Sequence, residues 1–227
     1  MIRILVIDDA ETPEFLEGMA REIAGGFRTN VDHHHLNPAS AFQGGDADAE
    51  TAKLIANVGV CAAEFWDLAL IDINLNDLDR PEAERLDLSL SIAETFREHN
   101  KAAVVMLYSG TLAKHIPKLI QEDGSSQKKD SEKALKRIFE AGIAGFVPRD
   151  ELRQRVYSAL EEPPPLLAID RLLTRNSALS CKVEESEFRG RSFLELAAAV
   201  RRHDKLGKRV AELVVEFGIA NLVELNG

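Results

Sequence analysis

The sequence predicts a doubly wound, five-stranded parallel α/β fold over residues 1–162, followed by a small, mainly helical region. Three observations carry this. Five short extended segments, four of them apolar, alternate with segments whose apolar residues recur at helical spacing, the order that builds a parallel sheet with helices on both faces. The longer runs are continuously apolar, as strands buried on both faces require. Pro163-Pro164-Pro165 then breaks the alternation as a stiff linker, and residues 166–227 show helical periodicity alone.

The first run, residues 2–7, ends in Asp8-Asp9. Thr12 and Pro13 then read as an N-cap and a first-turn proline. Phe15, Leu16, Met19, Ala20 and Ile23 give that helix one apolar face, and Gly25-Gly26 is expected to stop it. Residues 27–36 are extended but polar and contain His33-His34-His35. Neighbours in a strand point to opposite faces, so His33 and His35 alone among the three share a side. An edge strand with a solvated face explains them better than a metal site.

After a loop with Pro38 and Gly44-Gly45, a helix presents Leu54, Ile55, Val58, Cys61, Ala62 and Phe65 to one side. It leads through Trp66-Asp67 into Leu68-Ala69-Leu70-Ile71-Asp72-Ile73-Asn74, a buried strand running straight into a carboxylate. A helix with Leu88, Ile92 and Phe96 reaches about His99. Residues 102–108 form the fourth strand, ending in Ser109-Gly110. The segment 111–130 is long for a βα loop, with a short extra helix expected over 112–120. A helix over 131–141 with Leu135, Ile138 and Phe139 inward ends at Gly142. Residues 145–149 are the fifth strand, and Asp150 is expected to cap a helix carrying Leu152, Val156 and Leu160.

Beyond the prolines, Leu166, Ile169, Leu172 and Leu173 indicate a short helix. Ser192 to Glu195 is a capping box opening another. Lys205-Leu206-Gly207 is expected to break it. Val210, Leu213, Val214 and Phe217 mark a last helix closed by Gly218. This region reads as an output, docking or dimerisation element.

The net charge of −10 lies in the first 162 residues, which hold 18 Lys and Arg against 29 Asp and Glu; the remainder holds 10 against 9. Neither part has the strongly basic balance of a nucleic-acid-binding domain. Two cysteines, Cys61 and Cys181, make no disulfide framework and fit a reducing compartment. Without a signal-like segment or an apolar stretch of about 20 residues, the chain reads as soluble and cytoplasmic.

The chemistry gathers at the strand ends. Asp8-Asp9, Asp72, Ser109 and Arg149 follow the first, third, fourth and fifth strands, and a doubly wound sheet brings them to one crevice. Three converging carboxylates call for a cation, and oxygen-only ligands favour a hard ion such as Mg²⁺. Such an ion keeps Asp72 ionised and able to attack phosphorus. The Ser109 hydroxyl and the Arg149 guanidinium suit phosphoryl oxygens. The set suits formation of an aspartyl phosphate.

This pattern resembles the receiver domain of two-component response regulators, over residues 1 to about 162. The resemblance implies a flavodoxin-like sheet of order 2-1-3-4-5 and a phosphorelay switch rather than an enzyme. It places the acidic pair at Asp8 and Asp9, with Asp9 a direct Mg²⁺ ligand, and the phosphoacceptor at Asp72. Asn74 matches the position whose carbonyl binds the metal, Ser109 the switch hydroxyl and Phe146 the aromatic switch. The implied partner is a sensor histidine kinase or phosphotransfer protein.

Three features depart from the family. Arg149 stands where the family has Lys, and a longer, forked guanidinium is not an equivalent substitute. Pro148 precedes it, and the loops after Asp72 and Ser109 are enlarged. Two other readings follow: a phosphate-independent pseudo-receiver that works as a binding module, and a DNA-binding regulator. The second would use Arg201, Arg202, Lys205, Lys208 and Arg209, between two helices of the tail. Acidic residues interleave with that cluster, so partner docking or homodimerisation is the preferred role.

Overall fold

The computed structural model describes all residues except 10–12, 43–44, 74, 76–81, 110–132, 134–135, 184 and 227. Five strands, β1 (Ile2–Ile7), β2 (Val31–Leu36), β3 (Leu68–Asp72), β4 (Val104–Ser109) and β5 (Gly145–Pro148), form one parallel sheet in the order β2-β1-β3-β4-β5. This is the flavodoxin-like arrangement expected from the sequence. β3 and β4 are buried at every residue, which is why their sequences are apolar without alternation. β2 is an edge strand with a polar, partly exposed pattern.

Strand periodicity sorts the core into two layers. Leu5, Ile7, Ala69, Ile71, Val105 and Leu107 face α2 (Ala47–Ala62) and α3 (Glu82–His99), whose Leu54, Val58, Ile92 and Phe96 complete that layer. Ile4, Val6, Leu68, Leu70, Val104, Met106 and Val147 face α1 (Pro13–Phe27) and α4 (Leu152–Glu161). There Leu16, Met19, Leu152 and Val156 pack against them. The chain leaves β1 for β2 on one side and returns to β3 on the other. The crevice where such a reversal occurs, at the strands' C-terminal ends, is the usual ligand position in this architecture.

Arg97 ties the far side together. Its guanidinium donates to the carbonyls of Ala103 at 2.6 Å, Gly142 at 2.8 Å and Ala141 at 3.1 Å. Burial pulls its pKa down to about 10. Gly142 has φ of +58°, a turn that suits glycine.

The C-terminal region contributes α5 (Pro165–Arg175), α6 (Phe193–Arg202) and α7 (Lys205–Asn226). Ile169, Phe188, Leu196, Val200 and Val210 form its own small core. The capping box at Ser192 and Glu195 is present in both directions. This region packs on the N-terminal edge of the sheet. Leu167 joins the layer under α1 and α4, Arg171 Nη2 lies 2.7 Å from Asp67, and Arg201 donates to the Ala63 carbonyl at 3.1 Å. Within the tail, Arg201 is 3.0 Å from Asp170.

Several local expectations are corrected. α1 runs one residue past Gly25-Gly26 and stops where Arg28 takes φ of +49°. Phe139 is 80% exposed, because the helical residues 136–140 turn Ile138 and Arg137 toward α3 instead. Glu151, not Asp150, occupies the cap position of α4 and makes no side-chain cap bond. In α5, Leu167 is buried and Leu172 exposed. The break between α6 and α7 falls at His203, with φ of +51°, rather than at Gly207. Gly207 lies inside α7, where an added Cβ would sit 2.1 Å from the Ala199 carbonyl oxygen; glycine lets the two helices close up. Gly218 does not end α7, which continues to Asn226. The expected extra helix over 112–120, Leu135 and the Thr12 cap lie outside the described residues. Among the described residues no helix is long and apolar enough to cross a membrane.

Candidate functional site

Asp8 and Asp9 extend β1, and Asp72 is the last residue of β3. All three are buried, at 0%, 4% and 6% exposure. One ligand atom from each lies within 4.8 Å of the others. The strand register explains the convergence. Ile7 pairs with Ile71 and Asp72 with Tyr108, so Asp8, Asp72 and Tyr108 occupy one row across β1, β3 and β4. Their even numbering continues that of Val6, Leu70 and Met106, so all three point to the α1 and α4 side.

Asp8 is held from several directions. Tyr108 donates its hydroxyl to Asp8 Oδ2. Arg149 Nη2 lies 3.6 Å from the same oxygen. His35 Nε2 is 2.8 Å from the Asp8 carbonyl, and Asn37 donates to the Asp9 carbonyl at 3.2 Å. The Arg149 guanidinium lies 5.8 Å from the centre of the Phe15 ring on α1, within cation–π range.

The remaining expected residues take these places. Ser109 closes β4 and is buried, and its carbonyl accepts from the Arg149 backbone N–H at 3.2 Å. Phe146, paired with Leu107, is half-buried on the α2 and α3 face. Asn74 lies outside the described residues, as do the enlarged loops at 76–81 and 110–132. His33, His34 and His35 do not converge: His34 approaches Trp66, with ring centres 6.2 Å apart, while His35 turns to the Asp8 carbonyl.

Tyr108, His35 and Asn37 are site residues that the sequence reading passed over. For Tyr108 a signal existed. It stands one position before Ser109, in the register that meets Asp72, and strand parity puts it on the carboxylate side. It passed as an ordinary strand aromatic because aromatic residues favour strands anyway.

Three buried carboxylates with ligand atoms within 4.8 Å of one another repel, and a divalent cation would relieve this. The donor set is oxygen alone, which suits a hard ion. The fold and site together define a flavodoxin-like α/β protein with a buried acidic cluster fit to hold a metal ion at the C-terminal edge of its sheet. The chain matches no family model, and no curated protein matches it.

Proposed function

We propose that the chain is a phosphorylation-controlled receiver that accepts a phosphoryl group on Asp72 and switches a protein-interaction surface. One observation carries this reading: Asp8, Asp9 and Asp72 meet within 4.8 Å at the sheet's topological switch point. Asp8, Asp9 and Asp72 would hold Mg²⁺, with the Asn74 carbonyl completing the protein's share. When bound, the ion neutralises the carboxylates and the oxygens of the incoming phosphoryl group. An Asp72 carboxylate oxygen forms the new bond to phosphorus, and the bond to the donor's leaving group breaks, the electron pair departing with that group. In a phosphorelay the donor is a phosphohistidine on a kinase or phosphotransfer protein, and the leaving group is its histidine imidazole. Arg149, which approaches Asp8, and Ser109, at the end of β4, would take phosphoryl oxygens. The new charge of roughly −1.5 to −2 would draw Ser109 and its loop inward and repack Phe146.

The tail fits partner docking or self-association. Of its basic cluster, Arg201 is buried against Asp170, Arg202 pairs with Asp204, and Arg209 pairs with Glu212 and Glu216. Those charges are already engaged within the chain, which disfavours a DNA-reading role. Val214, Val215 and Phe217 on α7 are each about half exposed.

One observation favours the pseudo-receiver reading: Arg149 approaches Asp8 and so brings a positive charge into the acidic cluster from within the chain. A single experiment separates the two. The protein is incubated with a small phosphodonor and Mg²⁺ and weighed intact. The receiver reading expects one added phosphoryl group that disappears in Asp72→Ala. No addition, or addition retained in Asp72→Ala, overturns the receiver reading; no addition is what the pseudo-receiver expects.

A further inference from the structure

Tyr108 is 1% exposed, and its hydroxyl meets the carboxylate of Asp8, which is fully buried. The two residues stand on β4 and β1, with β3 between them. Neighbouring strands lie about 4.8 Å apart, so the two backbones are roughly 10 Å apart, and the Tyr108 side chain crosses β3 to meet that of Asp8. The row position it crosses is that of Asp72, the residue paired directly with Tyr108. The ring therefore lies across the Asp72 position on the α1 and α4 side, and its hydroxyl engages the oxygen of Asp8 that Arg149 also approaches.

We infer that Tyr108 is a positioning residue that sets the cation affinity of the acidic cluster, by holding Asp8 in a hydrogen bond that a divalent ion must displace. The inference rests on the receiver reading's cation site but not on phosphoryl transfer. The argument is one of competition. Asp8 Oδ2 accepts from the Tyr108 hydroxyl while facing Arg149, and each contact lowers what that oxygen gains from a cation. A hydrogen bond to a charged group is worth roughly tenfold or more in an equilibrium constant. Removing the hydroxyl while keeping the ring should therefore tighten binding. Free of its bond, Tyr108 also changes environment when the ion enters, and this gives a signal independent of affinity.

The test uses the full chain and MgCl₂. Titration calorimetry compares the unmodified protein with Tyr108→Phe, and about tenfold tighter binding is expected in the variant. The chain has two tyrosines. In a Tyr157→Phe protein the near-ultraviolet tyrosine band therefore reports Tyr108 alone, and it should change along the same Mg²⁺ saturation curve. Equal or weaker binding by Tyr108→Phe, or a tyrosine band indifferent to saturating Mg²⁺, overturns the inference and leaves the cation site standing. Folded proteins that bind no Mg²⁺ in either form defeat the cation site and the inference together. If Tyr108→Phe does not fold, the Tyr157→Phe titration decides.

Discussion

At the N-terminal edge of the sheet, Asp67 and Asp170 are fully buried and each faces a guanidinium, Arg171 at 2.7 Å and Arg201 at 3.0 Å. At the C-terminal edge, Asp8, Asp9 and Asp72 are as deeply buried and converge on one another, with Arg149, 39% exposed on its side chain, reaching Asp8 at 3.6 Å. One edge matches charges one to one and joins two parts of the chain. The other concentrates charge of one sign. The difference separates buried charge that is paired within the chain from buried charge of one sign that is fit to hold a cation, and the same residue type does both. What distinguishes them is the balance of charge, not the degree of burial.

The largest test of the contrast is Arg201→Ala. It strips Asp170 of its counter-charge and leaves the Ala63 carbonyl without that donor. Orphaning one member of a buried pair costs about 3–5 kcal/mol, whereas replacing both members with apolar groups is often neutral. Denaturant melts should show that loss for Arg201→Ala and a recovery of most of it in Asp170→Leu/Arg201→Met. A double variant as unstable as the single one would mean that the pair does more than cancel its own burial.

The second test uses pH. Burial raises the Asp170 carboxyl, Arg201 and the Thr174 hydroxyl pull it down, and Asp67 pushes it up; it settles at about 6. In the unfolded chain an aspartate titrates near 3.9. Between those values the folded state holds a proton that the unfolded state has released, so this group's contribution falls as pH rises from about 4 to about 6 and is flat above. The stability of the unmodified protein minus that of Asp170→Asn should drop across that window by on the order of 3 kcal/mol. Groups common to both proteins cancel. A difference that rises with pH would show that Arg201, not burial, dominates.

The fold was largely legible because all its strands but the polar edge strand β2 announce themselves: four-to-six-residue apolar runs, two of them closed by acid, have few other uses. The acidic cluster was legible for the same reason, since Asp8, Asp9 and Asp72 stand where those runs end. Helix phase was less so. In α5, Leu166, Ile169, Leu172 and Leu173 mark one apolar face, but the face that packs is rotated from it, burying Leu167 and exposing Leu172. The buried pair at Asp170 settles the orientation, and the partner on α6 is 31 residues away. Gly218 looked like a stop because glycine costs a helix about 1 kcal/mol, a price α7 absorbs over 22 residues. Tyr108 was legible only in part: strand parity puts it on the carboxylate side, but its contact with Asp8 depends on register across three strands, which no local pattern states.

The smallest effect bears on the acidic edge itself. If Asp8, Asp9 and Asp72 are held together against their own repulsion, removing one charge should relieve the fold while spoiling the site. Asp72→Asn keeps the shape and hydrogen-bonding capacity of the side chain. In chelator it is expected to be more stable than the unmodified protein by about 1 kcal/mol, the usual scale when a site gives up function for stability. Mg²⁺ should then reverse the order. At 100 times its dissociation constant a ligand that binds the folded state alone adds about 2.7 kcal/mol, and the unmodified protein should gain this while Asp72→Asn gains little. Thermal melts of both proteins, with chelator and with Mg²⁺, measure all four stabilities. If Asp72→Asn is the less stable in chelator, the carboxylate is already compensated within the chain, and the acidic edge resembles the tail's edge after all.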